Sequence, residues 1–449
     1  MTREIDLAGA GERMHALMRE LFPLCRSITG DGVRQTLQEI ARRIPLDLQE
    51  VPSGTQVLDW TVPDEWNIRD AYIADPGGAR IVDFRESNLH VVGYSEPVHE
   101  TMSLSELRLR LHTLPEHPDW VPYRTSYYDR SWGFCLAQRQ LDRLEEGEYE
   151  VRIDSTLEPG SLTYGECVLP GERGEEVVLT THVCHPSLAN DNLSGIALLT
   201  ELAAVLARAP RRFTYRLLFI PGTIGSISWL ARNEGHLSNI VAGLVLACVG
   251  DPAPLTYKRS RRGDTLVDRA AAHVLGHVED RARIVDFAPW GWDERQFNSP
   301  GFDLPVGCLC RSREGEYEQY HSSADDLDLV RPERLEDALR AVLDIVDVLE
   351  TDRRHVNLAP KGEPQLGRRG LYPSVGGPDA GGEQLALLWV LNQSDGQMSL
   401  LDIAERSGIA YARLRECAQT LIEAGLLAVA DGTDVTNFDS AGVQLPPRS

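Results

Sequence analysis

From about Gly11 to Arg43 apolar residues return every three to four positions, with Leu17, Leu21 and Leu24 on one spacing, which predicts helices broken at SITGDG. Between about Trp66 and Tyr149 the repeat shortens to that of strands. The runs IVDF, LHVVGY, WGFCLA and EYEVRI, set apart by Pro97, Pro115, Pro118 and Pro122, predict a β-rich module inserted into a discontinuous parent domain. After Ser161 apolar strands alternate with helices, as EEVVLTTHV, SGIALLTELAAVLARA, TYRLLFIPG and IVAGLVLACVG. Strands this uniformly apolar are buried on both faces, so the expected fold is α/β, a three-layer, mostly parallel sheet. The last helix of that domain carries Leu335, Leu339, Val342, Ile345, Val346 and Leu349 on one side.

The pattern changes again towards the end of the chain. Residues 356–382 are rich in Gly and Pro and read as a linker. Residues 383–445 read as helix, turn, helix, turn, helix and a short apolar run, which resembles a winged-helix domain. Ser399 is the expected start of its second helix, and Gly408 and Gly425 are the expected stops. The parent domain then takes residues 1–65 and 155–355, and the insertion takes 66–154.

Composition narrows the partners. The 68 Asp and Glu outnumber the 45 Lys and Arg, and a net charge of −23 repels polyphosphate. In the expected recognition helix Arg413 and Arg415 are offset by Glu416 and Glu423, so nucleic acid is not an expected partner. No signal-peptide core opens the chain and no apolar run of about 18 residues occurs, so a cytoplasmic protein without a membrane span is expected. Eight cysteines without a CxxC pair read as buried thiols of a reducing compartment. The apolar positions Leu387, Leu388, Val390 and Leu391 offer a face for a homo-oligomer.

The candidate chemistry lies in THVCHPSLANDNLSG. It places His182 at the carboxyl end of an apolar strand, His185 and Asp191 in the following loop, and Gly195 at a helix entry. Ligands of open sheets gather at that edge, and imidazole with carboxylate suits zinc. For either histidine alone, a loop histidine capping the strand edge is the plainer alternative. His321, in YHSSADDLD, could bring a third ligand to the same edge.

Together, HPSLANDNLSG, DERQFNSPGFDLPVG and YHSSADDLD resemble the co-catalytic zinc aminopeptidases and glutaminyl cyclases. The match is closest to an aminopeptidase-like subgroup with an inserted β-domain and a C-terminal winged helix. This resemblance implies His182 or His185 as the first histidine ligand, Asp191 as the carboxylate that bridges in two-metal relatives, and His321 as the last histidine ligand. The usual Glu-Glu pair is replaced by Gly222 and Thr223 in IPGTIGS. Ala247 takes the place of a ligand aspartate, with Asp251 four residues later. One zinc is therefore expected rather than two.

A general base must then come from elsewhere, and the candidates are Asp293 and Glu294 in GWDERQF, with Glu314 and Glu316. Candidate substrate-binding residues are Tyr257 and Arg261 in YKRSRRGD, Tyr128 and Trp132 in the insertion, and Tyr320 beside His321. Ion pairs and core packing are the plainer fates of these residues. The expected activity is hydrolysis of an amide in a small molecule or short peptide. A specialised acyl transfer, cyclisation or deacylation is the second reading, and a degenerate regulatory protein the third.

Overall fold

The computed structural model describes residues 7–278, 282–371 and 380–430. Its largest sheet has eight strands: β1 (Asp47–Pro52), β2 (Ser161–Leu169), β3 (Glu176–His182), β4 (Thr214–Ile220), β5 (Ile240–Leu246), β6 (Thr256–Lys258), β7 (Arg283–Val285) and β8 (Val306–Cys310). Their order is β1-β2-β4-β3-β5-β8-β6-β7. The centre, β4-β3-β5-β8, is parallel, while β1 and β2 on one side and β6 on the other join antiparallel. The expected mostly parallel sheet is thus present, with antiparallel additions at its flanks. From β3 the chain steps to β4 on one side and then across to β5 on the other. The carboxyl ends of β3 and β5 therefore border a switch point, the place where open α/β sheets receive ligands.

Helices α1 (Ala10–Leu21), α2 (Asp31–Ala41), α3 (Gly195–Leu206) and α4 (Ile224–Asn233) pack on this frame, α2 and α4 against β2 and α1 against α3. In α3, GIALLTELAAVL is apolar almost all round and is buried from Gly195 to Thr200 and again at Leu202, Ala203, Val205 and Leu206. Its first residue has no space for a side chain. A Cβ on Gly195 would lie 2.6 Å from Thr181 Oγ1, Leu246 O and Asn192 Oδ1. This close approach is what seats the helix directly behind the ends of β3 and β5.

The inserted region forms its own four-stranded antiparallel sheet, Arg80–Asp83, Glu65–Ala74, Glu148–Glu158 and Val98–Ser103 in that spatial order. A separate core of Ile73, Val82, Leu104, Phe134, Val151 and Ile153 fills it. The run LHVVGY is not the expected strand: Asn88–His90 is a single 3-10 turn and Tyr94 takes a positive φ of 67°. Its apolar residues are instead buried in loop packing, with Leu89 and Val92 against Tyr123 and Cys135.

Helices α5 (Leu266–Val278) and α6 (Pro332–Thr351) are each divided between two compact units, at Asp268 and Val342. The second unit contains α7 (Ala380–Gln393), α8 (Leu400–Ser407) and α9 (Tyr411–Glu423). It also has a three-stranded sheet ordered Asp395–Ser399, Arg354–Asn357, Leu427–Val429. Ser399 and Asp402 form a reciprocal cap at the start of α8, and Gly408 (φ 68°) and Gly425 (φ 68°) follow α8 and α9 in the left-handed region. The linker reading needs one correction: Val356 and Asn357 lie in the middle strand of that sheet, so this unit begins before residue 383. The run is too short and too polar at its ends for alternation alone to reveal a strand. The parts of the linker and winged-helix assignments at 372–379 and 431–445 lie outside the described residues. No helix among the described residues is long and apolar enough to cross a membrane. All eight cysteines are free thiols.

Two outcomes follow from this packing. Gly195→Ala should lower stability by about 1–3 kcal/mol, read from the denaturation midpoint, and an unchanged midpoint would mean the helix can shift away from the sheet. In the second unit His273 Nε2 accepts from Tyr411 N at 3.0 Å, and burial, with His277 beside it, pushes the imidazole down to about 4. The unfolded chain takes up that proton first, so stability is lost as pH falls from about 6.5 to about 4. His273→Gln keeps an acceptor but does not titrate; the same acid-induced loss of melting temperature in both proteins would contradict this assignment.

Candidate active site

Strand β3 ends on His182, and the chain then loops through Asp191 to reach α3. Asp191 is fully buried, and its two oxygens face different partners. Oδ1 lies 2.7 Å from His182 Nε2, while Oδ2 lies 3.1 Å from His321 Nε2 and 4.0 Å from His185 Nε2. Donor atoms of His182, His185 and Asp191 all fall within 4.8 Å of one another. Burial opposes ionisation of Asp191, but His185, His182 and His321 outweigh it and hold the carboxyl well below its usual range. Burial likewise drives His185 down to about 3, against the pull of Asp191.

The loop is held rigidly by its own amides. Asn192 Nδ2 donates to Thr181 Oγ1 at 2.7 Å and to His182 O at 3.2 Å, while its Oδ1 accepts from Cys248 N. Asn190 Nδ2 donates to Asp251 Oδ2 at 2.9 Å. Asp251 therefore serves as a brace, bonded also to Ser312 and Ala253 N, and does not move into the ligand place that Ala247 leaves. Asp325 accepts from the backbone N–H of Asn190 and Asp191 and from Tyr317 OH, and burial lifts its carboxyl to about 7. These links account for NDN and for the second half of YHSSADDLD as structural parts of one site.

In front of the histidines is a cavity of about 580 Å³. One wall comes from the insertion: Tyr123 N donates to His321 O at 2.8 Å, and the Tyr123 ring stands edge-on to His185 and His321. Tyr320 stacks on His321 with ring centroids 3.9 Å apart. The opposite wall is Trp292 and Asp293. Asp293 Oδ1 accepts from Thr223 N at 3.0 Å and Ser226 Oγ at 2.8 Å, so a carboxylate from a later loop reaches the turn where Gly222 and Thr223 stand. Its Oδ2 has no partner among the described residues, and burial raises its pKa.

The structure brings His182, His185, Asp191, His321, Asp293 and Tyr320 together. Other candidates stand elsewhere. Glu294 is buried beneath the wall in an ion pair with Lys258, because the short helix it opens turns it away from Asp293. Glu316 pairs with Arg313 and Arg283 near the surface. Tyr257 is buried and donates to Asp268, and Arg261 pairs with Asp303. Tyr128 is half exposed against Trp60, and Trp132 packs on the insertion core under Arg110. Sequence reasoning missed Tyr123, Trp292, Arg124 and Arg295 as cavity residues. The signal for the first and third was the aromatic and basic density of YRTSYYD.

Comparison with known proteins fits this geometry. The family described as a domain of unknown function, DUF4910, matches residues 15–352, and a winged helix-turn-helix family matches 353–429. A Clostridium acetobutylicum protein, provisionally described as a polysaccharide biosynthesis protein with an aminopeptidase-like domain, is 51% identical over 418 residues, 93% of this chain and 96% of that protein. The crystal structure of a provisionally assigned peptidase from Clostridium acetobutylicum superposes with a TM-score of 0.90 at 49% identity, over 94% of this chain and 98% of that one. A zinc aminopeptidase from Bacillus subtilis shares the fold alone, at 14% identity and a TM-score of 0.55, over 76% of this chain and 94% of that one.

Space at Gly222 is limited, since a Cβ there would lie 3.1 Å from Cys184 Sγ and 3.6 Å from His182 Cβ. Gly222→Glu should therefore destabilise the protein by about 1–3 kcal/mol, read from the denaturation midpoint. An unchanged midpoint would mean that Cys184 and His182 give way to the added side chain.

Proposed function

Because the chain belongs to the DUF4910 family, the aminopeptidase-like group with an inserted β-domain and a C-terminal winged helix, we propose that it is a cytoplasmic zinc-dependent hydrolase of amide bonds. The observation that carries this reading is the buried Asp191 carboxylate with His182, His185 and His321 around it, opening on a cavity walled by Asp293. Imidazole nitrogens and one carboxylate are a donor set that zinc accepts, and the fully buried charge of Asp191 is one that a cation would balance. His185, Asp191 and His321 are the residues that would hold a single ion, with His182 bonded to the other oxygen of Asp191 and orienting it. When bound, zinc supplies Lewis acidity towards a carbonyl oxygen and makes water more acidic.

The chain's own groups do the rest. Asp293 takes a proton from the attacking water and returns it to the leaving amine, so water and amide give a carboxylic acid and an amine. Burial raises its pKa, which strengthens it as a proton acceptor. Tyr320 and Tyr123 flank His321 and limit solvent around the scissile bond. The polysaccharide biosynthesis assignment of the Clostridium acetobutylicum relative favours a small biosynthetic amide over bulk protein as substrate. The winged helix does not redirect this reading to nucleic acid, since Arg413 pairs with Glu416 and Arg415 with Asp347.

The test couples metal analysis to turnover of a panel of amides. Wild type should retain about one zinc per chain, and His321→Ala should lose zinc and activity together. Asp293→Asn should keep zinc while kcat falls by roughly 10²–10⁴-fold. A protein that binds no zinc, or an Asp293→Asn variant with full kcat, would contradict the proposal.

A further inference from the structure

The cavity carries an unusual charge pattern for so acidic a protein. The net charge is −23, and many arginines of the first unit are met by carboxylates, among them Arg216 by Glu166 and Glu176, Arg34 by Glu65 and Arg80 by Asp70. Arg124 and Arg295 both line the cavity, and neither has a carboxylate oxygen within 4 Å among the described residues. The Nε of Arg295 is shielded from solvent without an acceptor, and so is the indole Nε1 of Trp292 in the same wall. Unsatisfied donors are costly, and a group entering the cavity, water or ligand, is what can satisfy these two.

The backbone presenting these groups is fixed on both sides. Gly93 N donates to Arg124 O at 2.9 Å while the adjacent Tyr123 N is tied to His321 O. On the other wall, Asn298 N bonds Glu294 O, and Lys258 is paired with Glu294 and bonded to Trp290 O, which pins the loop that carries Trp292 to Arg295. The charge of Arg295 acts on Asp293 without forming an ion pair with it. Asp293 is the only carboxylate that lines the cavity among the described residues. A substrate with a free α-ammonium would find there two arginine cations and a single carboxylate already bonded to Thr223 and Ser226.

We propose that the substrate is an amide bearing an anionic group, a carboxylate or a phosphate, which Arg124 and Arg295 bind while the amide faces His321 and Asp293. The proposal rests on the amide-hydrolase reading for the second half of that statement only. Guanidinium is the side chain best matched to either anion, and the partly buried Arg295 gains more from one than a fully exposed cation does, with the exposed Arg124 adding its charge at the mouth of the same cavity.

The experiment reads binding, not turnover, so that it fails separately from the hydrolase reading. Calorimetric titration of the full chain compares N-acetylglutamate and N-acetylglucosamine 6-phosphate with their neutral counterparts, N-acetylglutamine amide and N-acetylglucosamine. At least one anion should bind about tenfold or more tightly than its neutral counterpart, and which one does so separates carboxylate from phosphate. Arg295→Gln and Arg124→Gln should each erase most of that preference without weakening the neutral compound, and Arg295→Lys should retain part of it. Circular dichroism checks that the variants fold. Equal affinity for charged and neutral compounds, no binding of any of the four at millimolar concentration, or a preference that survives both Gln substitutions would overturn the proposal.

Discussion

A carboxylate buried completely away from water is the constraint on which this protein's site depends. Isolated in a low-dielectric interior, the Asp191 charge would cost several kcal/mol, and it is tolerated because imidazoles meet both of its oxygens. Every nearby feature serves that arrangement. Asn192 fixes the end of β3, Asn190 and Asp251 brace the loop, and Asp325 holds the backbone of Asp191 itself. A cation among those imidazoles would complete the same electrostatic scheme.

The fold delivers the remaining groups from distant parts of the sequence. The switch between β3 and β5 opens the edge of the sheet, and Gly195 allows α3 to start there. The insertion returns to the site through Tyr123, which touches His185 and His321 at once. The loop before the short helix at Glu294–Phe297 supplies Asp293 to the turn at Gly222 and Thr223, and the buried Lys258–Glu294 pair lies beneath it. Two adjacent carboxylates therefore have different environments: Asp293 faces the cavity, and Glu294 secures the wall.

Much of this was legible in the sequence, and the limits have physical causes. The apolar strands at 176–182, 214–220 and 240–246 were readable because burial on both faces leaves uninterrupted hydrophobic runs. His182, His185, Asp191 and His321 stood out because a polar cluster interrupts such runs at the expected edge. Tyr257, Arg261, Tyr128 and Trp132 were misplaced as cavity residues because residue type does not reveal which way a loop turns. Arg295 gave no such sign, and Arg124 showed only in the aromatic and basic density of YRTSYYD. What marks them is their place in the cavity wall, which only the arrangement in space reveals. The strand at Arg354–Asn357 was hidden in a polar stretch because its partners lie about 40 and 70 residues later.

Anomalous scattering at the zinc edge, from crystals of the zinc-loaded full chain, tests the central claim most directly. One peak is expected, bonded to Asp191, His185 and His321, with Asp293 across the cavity from it. No peak at Asp191, or a second ion beside the first, would contradict it.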